Sequence, residues 1–258
     1  INEIREGTVY QVNLAWKSSA PATPNPARLW AMLEHSNPSR WGMVIKTKDC
    51  SIVCNSPETY LEISPNNVVR STPIKGTRRA EDQRLDLWSS SKERSELTMI
   101  VDMVRNDIGA SCVAGSIFAT ARKIVRCGDL LHAEQDVFGT LLSNDHRYTL
   151  LEQSFPPASV TGAPKSTALQ LIRQLEWSPR SIYTGSLGFI LDSGYAHLNV
   201  AIRSIISDGN EQSFHTGAGI VYDSVPEAEW QETLDKGRAI RKSIALEQAI
   251  KARSDNTN

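Results

Sequence analysis

In two runs of this 258-residue sequence, 41–72 and 185–223, segments rich in β-branched residues follow one another with turns but no helical stretch between them. Strands joined in that way must pair antiparallel, because a parallel crossover consumes a dozen or more residues. Strand-like segments fall at 8–17 (TVYQVNLAWK), 41–47, 51–56, 67–72, 116–127, 185–191, 196–207 and 212–223. Helical periodicity is confined to 26–35, 92–107, 162–177 and 225–252, and SSAPATPNP at 18–26 reads as a loop. The expected class is α+β, with helices packed on large, mostly antiparallel sheets. One catalytic domain is expected over residues 1–252, followed by a frayed tail at 253–258.

Charge narrows the partners. Lys and Arg total 28 against 29 Asp and Glu, a net charge of -1, so no excess positive field is available to hold a nucleic-acid backbone or an anionic membrane. No apolar run approaches the length that spans a bilayer, and the first residues lack the basic-then-apolar pattern of a secretory signal. Cys50, Cys54, Cys112 and Cys127 have neither the spacing of a zinc site nor the density of a secreted disulfide framework, so a reducing, cytoplasmic setting is expected.

Two features carry chemistry. In RSTPIKGTRRAEDQ (70–83), Lys75 stands between Pro73-Ile74 and Gly76-Thr77. Proline fixes the approach of the chain and glycine lets backbone come close to a ligand, a frame suited to a lysine aimed at one atom. On those residues alone a solvated loop lysine is the simpler reading. The second feature is a repeated acidic spacing. Glu93 and Glu96 lie three apart at the head of a helical stripe continued by Ile100 and Val104, and Glu229 and Glu232 repeat the spacing at the start of the last helix. Either pair can be a solvated or dipole-complementing pair, and Glu232 can bond Lys236 at i+4. Taken together they also make an all-oxygen set that suits a hard ion such as Mg²⁺.

Read in order, PIKGT, SELTMIVDMVRNDIG, SVTGAPKSTALQLI and TGAGIVYDSVPEAEWQETLDKGRAI resemble the chorismate-utilising enzymes, which include anthranilate, aminodeoxychorismate, isochorismate and salicylate synthases. The resemblance runs from residue 1 to about 250 and corresponds to the catalytic C-terminal half of the family's longer members. It implies Mg²⁺ at Glu96 and Glu232, with Glu93 and Glu229 acting directly or through water. It implies Arg203 and Tyr183 on the pyruvyl carboxylate of chorismate, with the backbone of Gly217 and Gly219 close by. Ser159 and Thr77 match hydroxyls near the substrate, and His132 matches an active-site histidine of open role. Glu58 matches a glutamate that serves as proton donor. Taken alone, Arg203 reads as a strand arginine in a surface ion pair.

Two positions discriminate among branches. Synthases that add water to chorismate place a lysine base where this chain has Gln11, which has no titratable amine. Anthranilate synthases resemble it at Gln11 but usually have alanine in place of the lysine of PIKGT. Lys75 therefore resembles the aminodeoxychorismate synthase branch. The implied function is amination of chorismate to 4-amino-4-deoxychorismate through a covalent Lys75 intermediate, toward 4-aminobenzoate and folate. No amidotransferase motif is visible, so ammonia is expected from a separate glutamine amidotransferase subunit. The alternatives are anthranilate synthase component I and a non-catalytic chorismate-binding fragment.

Overall fold

A computed structural model describes the backbone of residues 1–23, 25–79 and 84–255, with the side chains of 77, 79, 84–86, 254 and 255 outside the description. Its frame is two six-stranded antiparallel sheets and one of three strands. In the first, the order is Gly162–Ala163, Gln11–Pro21, Glu211–Ile220, Ser204–Ser207, Ser51–Ser56, Trp41–Lys46. In the second it is Ser186–Ile190, Ala196–Val200, Thr59–Ile63, Val68–Thr72, Val137–Thr140, Phe118–Ala119. The third pairs Ile74–Arg79 with Leu130–Glu134 and that with Lys123–Cys127. The α+β class with antiparallel sheets is as expected.

The helices follow from stripes of apolar residues. On Ser91–Gly109, Leu97, Ile100, Val101, Val104 and Ile108 are all buried, against Tyr60, Leu61, Ile63, Val69 and Val137 of the second sheet. Ser90 caps its first turn, accepting from Glu93 N at 3.3 Å. Leu29 and Leu33 of Pro26–Ser36 join Ile240 and Ile244 of the last helix over Val53, Ile205 and Phe214 of the first sheet. Among the described residues, no helix is long and apolar enough to cross a membrane. All four cysteines are free thiols.

Several boundaries differ from expectation for physical reasons. The strand from Gln11 runs on through Ser18–Pro21, which reads as loop in sequence, because Ser18 to Pro21 pair with Phe214 to Glu211. Past Val12 the strand has a sheet partner on one side only, an edge where proline leaves no ladder bond unmade. The stretch 196–207 is two strands in different sheets. Between them Arg203 takes φ 49°, a left-handed conformation that a non-glycine residue adopts at a cost. The stretch 225–252 is also two helices, Pro226–Lys236 and Arg238–Asp255. A Cβ on the intervening Gly237 would lie 3.1 Å from Thr216 and 3.2 Å from Phe214, so glycine lets the junction sit on the sheet. The helix predicted from Gly162 starts at Lys165. Thr161 does not cap it; its hydroxyl donates to Pro157 O at 3.1 Å. The last helix reaches Asp255, past the expected start of the tail, and 256–258 lie outside the described residues.

Candidate active site

The Lys75 segment is a strand, Ile74–Arg79, not a loop. Its register against Leu130–Glu134 shifts between Lys75 and Thr77, where Gly76 takes φ 71°. A bulge of this kind re-aims a side chain. A Cβ at Gly76 would stand 2.6 Å from Glu93 Oε2 and 2.8 Å from Leu87, so glycine is also what lets the Glu93 helix approach. Lys75 Nζ consequently faces a cavity, donating to Ser159 O at 3.2 Å. Burial lowers the pKa of its ammonium, with help from Lys236 and against the attraction of Glu96, Glu58 and Glu232.

The cavity collects nearly every residue singled out in the sequence. Glu58, Lys75, Glu93, Glu96, His132, Ser159, Tyr183, Arg203, Gly217, Gly219, Glu229 and Glu232 all line it. Thr77 is placed by its backbone, opposite His132; its side chain lies outside the described residues. Glu58 is buried beside Lys75, and burial pushes its carboxyl up to about 7, although the Ser159 hydroxyl and Lys75 pull the other way.

On one wall, Arg203 is buried and its guanidinium is held by neutral groups. Nη2 donates to His132 Nε2 at 2.9 Å. Nη1 donates to Asn37 at 3.2 Å with the amide oriented by its hydrogen bonds. His132 Nδ1 lies 3.1 Å from Gly76 O, so Nδ1 carries the hydrogen and Nε2 accepts. Burial and the adjacent Arg203 push the imidazole down to about 3, which keeps it neutral. Among the described residues no carboxylate lies within ion-pair distance of Arg203, so it is not the surface ion-pair arginine of the simpler reading. A buried guanidinium of this kind is suited to pairing with an anion. Beside it, Tyr183 stacks on His215 at 5.2 Å between centroids. A Cβ on Gly217 would lie 3.0 Å from the Tyr183 hydroxyl, and one on Gly219 would lie 3.2 Å from Lys75 Nζ. Both glycines keep this wall open.

The opposite wall is acidic, and here the two helices meet. Glu93 pairs with Arg78 at 3.0 Å, Glu229 with Lys92 at 3.2 Å and Glu232 with Lys236 at 2.7 Å. Burial, reinforced by Glu93 and Glu229, pushes Glu96 up to about 7. A wall whose acidic donors are all oxygens fits a hard divalent cation in its chemistry. Among the described residues no three acidic, histidine or cysteine side chains converge at metal-ligand distances; lysine and arginine groups stand between them.

Several lining residues carry no site role in the sequence reading, among them Lys236, Lys92 and Asn13. Lys236, read there only as the helical partner of Glu232, also donates to Gly217 O at 3.0 Å. Lys92 and Asn13 carry no local pattern that would mark them, since their places depend on contacts between distant segments. Gln11 was used only to discriminate branches. It is fully buried with both amide atoms unpartnered among the described residues, and its Nε2 would lie 3.1 Å from a Cβ on Gly219.

A cavity with a guanidinium free of any carboxylate partner on one side and a carboxylate wall on the other has the charge layout of a small-molecule site. The chain matches the chorismate binding enzyme family over residues 1–242 and belongs to it. It is 36% identical over 251 residues to anthranilate synthase component 1 of Aquifex aeolicus, covering 94% of this chain and 51% of that protein. It is 33% identical over 254 residues to aminodeoxychorismate synthase component 1 of Bacillus subtilis, covering 94% and 53%. Other similar relatives carry the former name. The solved anthranilate synthase component I of Streptococcus pneumoniae superposes with a TM-score of 0.84 at 33% identity, over 93% of this chain and 55% of that one. The chain thus spans about half the length of the curated relatives it matches.

Proposed function

We propose that this chain binds chorismate and aminates it at C4 to give 4-amino-4-deoxychorismate, with ammonia delivered by a glutamine amidotransferase subunit. The observation that carries this reading is the Lys75 amine, aimed by the Gly76 bulge into the cavity next to Glu58. Arg203 would fork onto the pyruvyl carboxylate, in the anion place that its neutral partners leave open. His132 would act as a positioning residue, fixing the guanidinium through Nε2. A hard divalent cation held by Glu96 and Glu232, with Glu93 and Glu229 supporting, would bind the ring carboxylate and offset its charge.

Lys75, as the neutral amine, would form a bond from Nζ to C2 while the ring double bonds shift and the C4–O bond breaks. Glu58, whose raised pKa of about 7 keeps a substantial share of the carboxyl protonated near neutral pH, would deliver its proton to the departing oxygen, which leaves as water. The alkylated Lys75 nitrogen would then lose a proton to the Glu58 carboxylate. Ammonia would attack C4, the double bonds would shift back, and the C2–N bond would break with Nζ regaining a proton. The net change is chorismate plus ammonia to 4-amino-4-deoxychorismate plus water.

The second reading is anthranilate synthase component I, and the names of the relatives lean toward it. It differs by direct attack of ammonia at C2, with no bond to Lys75. Incubating the chain with chorismate and Mg²⁺ but no ammonium, then quenching and mapping peptides by mass, separates the two. An adduct of chorismate less one water on the Lys75 peptide supports the covalent reading. Turnover to anthranilate on adding ammonium, with no adduct at any time, would falsify it.

A further inference from the structure

The acid wall is bridged by a single lysine. Lys92, in the first turn of Ser91–Gly109, sets Nζ 3.2 Å from Glu229 Oε1 and 3.9 Å from Glu96 Oε1. Its ammonium therefore stands between carboxylates of the two helices. The other cations of the wall are fixed differently. Arg78 is on Glu93 at 3.0 Å, and Lys236 is tied to Glu232 at 2.7 Å and to the Gly217 carbonyl at 3.0 Å. Among the described residues Lys92 pairs with these two carboxylates alone, and its side chain is 39% exposed, so it has an open path to water.

We propose that Lys92 is a resident counter-ion which a divalent cation must displace from the Glu96 and Glu229 carboxylates, so that its ammonium sets the affinity of the wall for metal. The inference rests on the reading that this wall holds such an ion. A metal such as Mg²⁺ requires oxygens at about 2.0–2.1 Å in an octahedral arrangement. An ammonium among the same oxygens occupies that space and repels the incoming charge. The two occupants exclude one another. Without metal, the lysine ties the two helices together; with metal, its flexible stem carries the charge out to solvent.

Mn²⁺ serves as the probe, titrated into the full chain and followed by electron paramagnetic resonance, with and without chorismate and with ammonium omitted. Lys92→Met keeps the apolar stem and removes the charge; Lys92→Gln replaces it if the methionine variant does not melt like the parent. Lys92→Arg keeps the charge, and Glu96→Gln identifies the site. The expected result is Mn²⁺ binding at least about tenfold tighter in Lys92→Met, near-parental in Lys92→Arg and lost in Glu96→Gln. Unchanged or weaker binding in Lys92→Met, with Glu96→Gln still abolishing it, overturns the counter-ion role and leaves the metal wall standing. Mn²⁺ binding that survives Glu96→Gln, or none in any form, overturns the metal wall and the counter-ion with it.

Discussion

The two walls of the cavity solve opposite electrostatic problems. The acidic wall brings its own cations: Arg78, Lys92 and Lys236 each pair with a glutamate. Among the described residues the Arg203 wall brings no carboxylate within ion-pair distance, and its guanidinium rests on an imidazole and an amide. A buried charge without an ionic partner is costly, so this wall is suited to receive an anion. The acidic wall, by contrast, already has cations on its carboxylates. On the proposed function, the substrate's pyruvyl carboxylate belongs on the Arg203 side and the companion ion on the acidic side.

Substitutions that blur this contrast should act in graded fashion. The largest loss is expected from Glu58→Gln, which keeps shape but cannot donate a proton; kcat should fall about 10²–10⁴-fold. The parent should lose rate as pH rises through about 7, where Glu58 ionises, and a profile with no limb there would count against the proton-donor role. The same group predicts a stability effect. Its folded pKa is raised from 4.5 to about 7, so the favourable contribution is present below 4.5 and lost as pH rises to about 7. Glu58→Gln should therefore melt higher than the parent at pH 8.

Arg203→Lys comes next. A point charge cannot reproduce the fork held by His132 and Asn37, and a loss of about 3 kcal/mol, roughly two orders of magnitude in kcat/KM, is expected. Near-parental kcat/KM would mean that this wall does not receive the anion. His132→Gln retains a polar group and should cost about tenfold, mostly in KM. Its more telling readout is the pH profile: the imidazole is neutral down to about 3, so no limb near 6.5 should exist to be removed. The smallest effect is expected from Gly219→Ala, whose Cβ would lie 3.1 Å from Gln11 Nε2 and 3.2 Å from Lys75 Nζ. Both neighbours end flexible side chains, so a few-fold drop in kcat with unchanged melting is expected.

The contrast between the walls was legible in the sequence only in part. The glutamate spacing announced an acidic stripe because helical periodicity is local, and the strands announced antiparallel sheets because turns and β-branched runs are local too. What escaped depends on distant partners. The strand character of Ile74–Arg79 comes from pairing with Leu130–Glu134, itself unmarked in sequence. The crossover at Arg203 comes from a chain that leaves one sheet for another. Which cation sits on which glutamate is fixed by helix ends meeting across the cavity, and spacing along one helix cannot show that. Lys75 stood out for its flanking glycine. The reason that glycine matters, the bulge and the approach of Glu93, is three-dimensional.

The central claim is that the Lys75 amine directs amination to C4. It is tested most directly by product analysis from chorismate, Mg²⁺ and ammonium, resolved by chromatography with mass detection, for the parent and Lys75→Ala side by side. The parent should give 4-amino-4-deoxychorismate and Lys75→Ala should lose it, with any residual product shifted to anthranilate. Anthranilate from the parent, or 4-amino-4-deoxychorismate formed by Lys75→Ala at the parental rate, would contradict it.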